Sequence, residues 1–129
     1  MKILPYLAVA VVAATACQAA EALPAACKAR ADLVGRCLEV RGRLSLWNGA
    51  PSLRLWRAGT GRILGVIADR QGDPEKDFAG LPPDVQHLLT GDQTAVWGDY
   101  VVCPLTRSRP GRMQFVCIDS ARRLTARPR

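Results

Sequence analysis

Arginine and tryptophan side chains are spaced in the first half of the chain so that they fall on one face of two extended segments. Arginines alternate with apolar residues between positions 38 and 47, and again between positions 52 and 56. An arginine beside an exposed aromatic ring can contact a phosphate or carboxylate while the ring stacks on a sugar or base. The candidate ligand-binding residues are Arg41, Arg43, Arg54, Trp56 and Arg62, with Trp47 at the rim. In the alternative interpretation, Trp47 and Trp56 only close the ends of the folded domain.

The cysteines favour disulfide chemistry over metal binding. The chain has five cysteines and a single histidine, with no Cys-x-x-Cys pair. Structural zinc needs paired ligands at short spacing, so the sequence predicts no metal site. Cys17 lies in the N-terminal segment that is predicted below to be a signal peptide. The other four cysteines are an even number, which predicts two disulfides in an oxidising compartment. This set comprises Cys27, Cys37, Cys103 and Cys117. Four cysteines allow three connectivities.

The sequence contains no recognisable catalytic constellation. His87 has no Ser or Cys partner that spacing can identify, and a helix-surface histidine is the simpler interpretation. Asp92 and Asp99 could cooperate as acid and base, but Asp92 also fits an ordinary turn after a glycine. No glycine-rich loop suited to phosphate is present. We therefore predict no catalytic residues and no cofactor.

The N-terminus has the order of features that a secretion signal has. Lys2 precedes an uncharged, mostly apolar run from Ile3 to Ala16, and small residues follow it. We predict a signal peptide at residues 1–22, with cleavage after Ala22, and a single domain at residues 23–129 that contains no transmembrane segment. The predicted location is periplasmic or secreted. The alternative is a lipoprotein anchored through Cys17, because the preceding residues form a weak lipobox.

The charge of the chain favours an anionic partner. The formal net charge is +7, and 15 of the 18 basic residues are arginines. Such an excess raises the expectation of binding to an anionic component of the cell envelope or to an acidic protein. The plainer interpretation is that the charge mainly maintains solubility. Because the chain is predicted to be exported, intracellular nucleic acid is disfavoured as a partner.

Hydrophobic alternation predicts the elements that position these residues. Five segments with strand character are separated by glycine-, asparagine- and proline-containing turns. A glycine inside the first of these, Gly42, indicates a bulge or sharp bend. A proline pair followed by apolar residues on one face predicts a short helix from Leu81 to Leu89. The predicted strands cover residues 38–47, 52–56, 62–67, 94–104 and 113–120.

The two ends of the mature chain are predicted to contain no strand. Residues 25–36 are expected to form a short N-terminal helix that Gly35 ends, and the basic tail from Ala121 is expected to be frayed. If Pro110 is the centre of the last hairpin, Cys103 and Cys117 are directly opposed and could bridge. Cys27 would then pair with Cys37, although a slip of register would remove this argument.

The order of three strands, a loop with a helix, and two more strands resembles the oligonucleotide/oligosaccharide-binding (OB) fold. The segments 42–49 and 98–105 look like small exported OB-like proteins of proteobacteria, and the resemblance covers about residues 37 to 122. It implies a mainly β protein: a five-stranded OB-like Greek-key barrel with a short helix between strands 3 and 4. Another small five-stranded barrel or sandwich also fits the pattern.

These features together predict a non-enzymatic binding module of the bacterial envelope. Its basic and aromatic face would recognise an anionic ligand or a protein partner. One alternative is a small periplasmic enzyme without a recognisable motif. Another is a secreted enzyme inhibitor that presents the polar loop at residues 69–80 to its target.

Overall fold

A computed structural model describes residues 26–68, 78 and 80–129 of the protein. The predicted signal segment with Cys17, and most of the loop at 69–80, lie outside the described residues. Within the described part the protein is mainly β, and none of its helices is long and apolar enough to cross a membrane. The strands are β1 (Leu38–Leu46), β2 (Leu53–Arg57), β3 (Ile63–Val66), β4 (Thr94–Pro104) and β5 (Gln114–Pro128), and the α-helix is α1 (Pro83–Leu88).

The five strands pair in a ring whose order is β1-β2-β3-β5-β4, with β4 returning to β1. All neighbouring pairs are antiparallel except β3 and β5, which run parallel and join Leu64 to Gln114 and Val66 to Val116. The helix α1 lies between β3 and β4 in the chain, as the sequence predicted. Because the ring brings β1 between β2 and β4, side chains from three strands become neighbours on its outer surface.

Gly42 is the position at which β1 pairs on both sides. It lies opposite Arg57 of β2 and opposite Gly98 of β4. A Cβ atom at Gly42 would lie 2.5 Å from the carbonyl oxygen of Trp56, so the neighbouring strand backbone leaves no room for a side chain. Glycine is therefore required here by the close approach of β2, which agrees with the predicted bend.

The core fills the inside of the ring. Alternate residues of β1, β2 and β4 point inward because successive side chains of a strand face opposite sides of the sheet. The helix α1 adds Val85 to the same cluster, and Tyr100 is its largest fully buried side chain. The Tyr100 hydroxyl donates a hydrogen bond of 2.6 Å to the carbonyl oxygen of Val96, which satisfies its one buried polar group. Burial raises the pKa of this hydroxyl, so it stays protonated.

The basic tail does not fray, and this corrects the sequence prediction. The strand β5 continues to Pro128 and pairs with β4 as far as Thr94. Ala121 and Leu124 of this extension pack against the core. Arg123 adopts a left-handed backbone with φ of 52°, and the register shifts between Trp97 and Asp99 at the same place. This bulge interrupts the alternation that would have identified the strand.

The N-terminal segment lies across the outside of β4 and β5. Its described part contains a 3-10 turn at Cys27–Ala29, while the predicted helix start at Ala25 lies outside the described residues. The segment is tied down by two disulfides, Cys27–Cys117 and Cys37–Cys103. All four predicted cysteines are therefore in disulfides. The sulfurs of Cys27, Cys103 and Cys117 lie close together because two disulfides meet there.

The pairing of the cysteines differs from the predicted one. Cys103 and Cys117 are directly opposed on β4 and β5, so the predicted register is correct. Both side chains lie on the outer face, because their neighbours Val102 and Val116 occupy the core. The N-terminal segment covers that outer face and supplies a sulfur to each of them. The predicted Cys103–Cys117 and Cys27–Cys37 bonds are therefore wrong.

Candidate functional site

A row of three aromatic and basic side chains crosses the outer surface of the ring. Arg43 of β1 is paired with Trp56 of β2 on one side and with Trp97 of β4 on the other. The Arg43 guanidinium carbon lies 5.3 Å from the ring centre of Trp56 and 5.7 Å from that of Trp97. The two indole rings meet edge to face, with centres 5.8 Å apart. Both tryptophans therefore stabilise the cation through their π faces.

Arg43 is not neutralised by an acidic side chain in the described residues. It forms no ion pair there, and its half-buried side chain has a buried Nε atom without a hydrogen-bond partner. The hydroxyl of Ser45, the next outward residue of β1, is also buried and unpaired. Buried polar atoms are nearly always paired in folded proteins. These two atoms thus lie beneath the surface with a hydrogen-bonding capacity that the described protein groups do not use.

Trp47 stands at the end of this row with two arginines around it. The guanidinium of Arg129 lies 4.0 Å from the Trp47 ring centre, and that of Arg54 lies 5.9 Å from it. Arg54 donates a hydrogen bond from Nε to the Pro51 carbonyl oxygen at 3.1 Å. Arg129 donates from Nη1 to the carbonyl oxygen of Leu46 at 2.5 Å. The end of β5 therefore fixes one boundary of the surface, and 38 % of Trp47 remains exposed.

Asp99 lies under the other end of the surface. It is 3 % exposed, and its carboxylate accepts hydrogen bonds from Arg123 and, at 3.3 Å, from Arg41. Burial opposes ionisation of this carboxyl, but the hydrogen bonds from Arg123 and Arg41 outweigh it and hold the pKa of Asp99 below its ordinary value. Asp99 is therefore an ionised structural partner of two arginines. This role excludes it from general acid catalysis with Asp92 near neutral pH.

We expect the stability contributed by Asp99 to disappear in acid. Because its pKa is lowered in the folded state, the contribution is fully present above the ordinary carboxyl pKa of about 3.9 and falls as pH drops through the folded-state value. Asp99→Asn should lower the thermal midpoint at pH 7, and the gap from the native protein should narrow below about pH 4. Thermal melts of the two proteins between pH 7 and pH 3 measure this difference in midpoint.

The control is Asp92→Asn, at an exposed turn residue whose carboxylate receives no hydrogen bond from the described residues. Its gap from the native protein should be small at every pH. A gap for Asp99→Asn that stays constant between pH 7 and pH 3 would contradict the assigned role of the Asp99 charge.

The structure brings together four of the five predicted ligand-binding residues. Arg41, Arg43, Arg54 and Trp56 lie on the adjacent strands β1 and β2. Arg62 is instead at the turn between β2 and β3, where it lines a separate groove with arginines of the β4–β5 loop. We call the residues Arg41, Arg43, Arg54, Trp47, Trp56 and Trp97 the arginine–tryptophan face.

Two residues that contact the predicted ligand-binding residues, Trp97 and Arg129, were not predicted from the sequence to lie there. Trp97 was recognised as lying on a strand, but its contact with Arg43 requires the β1–β4 register, which no local pattern reveals. Arg129 reaches Trp47 only because β5 extends to the end of the chain. In comparisons of the chain with protein-family models, curated proteins and solved structures, no match was found.

Proposed function

We propose that the protein is a non-enzymatic exported binding module that recognises an anionic ligand through the arginine–tryptophan face. The observation that carries this proposal is the environment of Arg43, whose guanidinium lies within 6 Å of two indole ring centres and meets no carboxylate among the described residues. An arginine held in this way is positively charged, preorganised and still able to donate hydrogen bonds. It suits a planar anion such as a carboxylate or a phosphate oxygen pair.

The tryptophans narrow the class of ligand. Trp56, Trp97 and Trp47 are each partly exposed beside a guanidinium, so a ring that carries the anionic group could stack on an indole while the anion meets the arginine. Acidic sugars of the cell envelope combine these two features. The acidic residue under the face, Asp99, is already neutralised by Arg41 and Arg123, so it does not repel such a ligand.

The fold is compatible with the proposal. The strand order, the helix between β3 and β4, and the pairing of β1 on both sides support our proposal of an OB-like barrel. OB-like barrels bind oligonucleotides and oligosaccharides on an outer sheet face and adjoining loops. The face proposed here is centred on β1, with β2 and β4 on either side, and Trp47 follows β1 in the adjoining loop.

The proposed location is the periplasm or the exterior of a bacterial cell. The two disulfides are consistent with an oxidising compartment. We propose that residues 1–22 are removed on export, and the alternative of lipid attachment at Cys17 leaves the arginine–tryptophan face unchanged. The partner in either case is an anionic component of the envelope.

Intrinsic tryptophan fluorescence tests the proposal directly, because all three tryptophans of the chain belong to the face. The oxidised protein is titrated with an oligogalacturonate, a carboxylated sugar polymer, at low salt. We expect a saturable change in fluorescence. Replacing Arg43 with glutamine should weaken binding by about 10- to 100-fold, the range for loss of a hydrogen bond to a charged group.

A matched variant separates recognition from net charge. Arg36→Gln removes the same charge from an exposed position of the N-terminal segment, outside the arginine–tryptophan face. It should change the oligogalacturonate affinity far less than Arg43→Gln does. Inorganic tripolyphosphate supplies charge without a ring and should bind more weakly per charge. Equal losses from the two arginine variants, or no fluorescence change at any concentration, would refute the proposed face.

A further inference from the structure

A second basic surface lies apart from the arginine–tryptophan face, where the β4–β5 loop meets the β2–β3 turn. The loop forms one side of a groove of about 570 Å³, and an adjoining hollow extends it to Arg62 and Ile63. The groove is within the size range of small-molecule sites. Its lining residues are Thr106, Arg107, Arg109, Arg112, Met113 and Phe115.

The polar part of this lining is strongly positive. Arg62, Arg107, Arg109 and Arg112 contribute four guanidinium groups, and none of the described residues that line the two hollows is acidic. All four arginines are exposed, and none forms a salt bridge with another described residue. Four unneutralised cations in one groove attract an anion and disfavour a neutral ligand.

The groove also has an apolar part. Met113 and Phe115 are half-buried along it, and 41 % of Ile63 is exposed in the adjoining hollow. Isolated exposed apolar residues are common on protein surfaces, but here they lie beside the four arginines. A ligand that complements both parts carries an anionic group next to an apolar chain.

At one end of the groove, the backbone of Thr106 and Phe115 is hydrogen-bonded within the hairpin. Thr106 accepts a hydrogen bond at its hydroxyl from the Phe115 amide at 2.8 Å, and its own amide donates to the Phe115 carbonyl oxygen. Its carbonyl oxygen accepts a hydrogen bond from Gln114 at 3.0 Å. These backbone groups are used within the hairpin, so side chains are the available recognition groups. A peptide that would add a strand through its backbone is therefore a poorer fit than an anionic amphiphile.

We infer that this groove docks the protein onto an anionic lipid surface. The four arginines would meet headgroup phosphates, and Met113, Phe115 and Ile63 would contact the boundary of the acyl chains. Each arginine near an anionic membrane contributes about fivefold to its affinity, and the apolar contacts add to it. The inference does not rest on the proposed ligand of the arginine–tryptophan face, because the two surfaces share no residue.

Vesicle co-sedimentation of the oxidised protein tests the inference. Vesicles containing about 30 % phosphatidylglycerol in phosphatidylcholine should retain the protein, whereas pure phosphatidylcholine vesicles should not. The double variant Arg109→Gln/Arg112→Gln should weaken retention by about 25-fold, from the fivefold contribution of each arginine. Arg36→Gln, at an exposed arginine outside both basic surfaces, serves as the single-charge control and should bind nearly as the native protein does.

The apolar contact needs its own measurement. Met113→Ser keeps the net charge and should weaken vesicle binding severalfold. Unchanged binding of this variant, or of the double arginine variant, would overturn the lipid assignment. So would displacement from vesicles by millimolar glycerol phosphate but not by sodium chloride of equal ionic strength, because it would assign a soluble phosphate ester. Binding to polyglutamate that both variants weaken equally would assign an acidic protein instead.

These outcomes are independent of the first proposal. The vesicle assay depends on Arg109, Arg112 and Met113, while the fluorescence titration depends on Arg43 and the tryptophans. If the native protein binds oligogalacturonate but not the anionic vesicles, the lipid assignment of the groove is wrong and the proposed function stands. If it binds the vesicles but not oligogalacturonate, the proposed role of the arginine–tryptophan face is wrong and the lipid assignment stands.

Discussion

Replacing all four disulfide cysteines with serine should leave the protein largely unfolded at room temperature. The bonds Cys27–Cys117 and Cys37–Cys103 close loops of 90 and 66 residues in sequence separation, one nested inside the other. Once the inner bond is present, the outer bond restricts only roughly two dozen further residues, so the entropic contributions are about 4 and 3.5 kcal/mol. Their sum of about 8 kcal/mol is comparable to the whole stability of a small domain.

Urea unfolding followed by far-ultraviolet circular dichroism measures this loss. The variant Cys27→Ser/Cys117→Ser keeps the inner bond and should lose about 3 to 4 kcal/mol while still unfolding cooperatively. This intermediate variant distinguishes loss of covalent restraint from a general failure to fold. Cooperative unfolding of the four-serine protein within about 2 kcal/mol of the native value would show that strand packing alone sustains the ring.

Replacing Gly42 with alanine should lower the free energy of unfolding by about 3 kcal/mol, near the upper end of the range for overpacking. The added Cβ would lie 2.5 Å from the Trp56 carbonyl oxygen and 2.9 Å from Leu55 Cδ1. Leu55 can rotate, but the Trp56 carbonyl belongs to the backbone of β2. Relief of the contact therefore requires β1 and β2 to separate at the point where β1 also pairs with β4.

Gly61→Ala is the matched control for this substitution. Gly61 lies in the exposed turn before β3, and an added Cβ there would meet no atom within 4 Å. It should change the free energy of unfolding by no more than about 0.5 kcal/mol. Urea denaturation of the two variants side by side gives the comparison. Equal effects at Gly42 and Gly61 would mean that β2 accommodates the methyl group without moving away.

Local alternation was sufficient to predict the positions of β1 and β2, because each of these strands has one buried face. The position of β4 was predicted as well, although both of its faces are largely buried. Val40 and Leu44 of β1 alternate with arginines, and this contrast is directly visible in the sequence. The helix α1 was equally accessible, since a proline pair and three apolar residues define its start and its buried side. These features are local, so a single sequence contains the information.

Features that depend on distant parts of the chain were not accessible in the same way. The contact of Arg43 with Trp97 follows from the β1–β4 register. The sequence placed each of these residues on a strand but did not show that the two strands are neighbours. The left-handed Arg123 breaks the alternation of β5, so its last residues resembled a tail. The cysteine partners depend on how the N-terminal segment lies over the sheet, which hairpin geometry does not determine.

The nested connectivity of the cysteines has a consequence for the order of oxidation. In a chain that emerges into an oxidising compartment from its N-terminus, Cys27 and Cys37 are exposed long before Cys103 and Cys117. An oxidant that joins cysteines as they appear would produce the consecutive pairs, which are not those of the folded protein. With such an oxidant, the pairs of the folded protein form only after thiol–disulfide reshuffling, once the last strand has emerged.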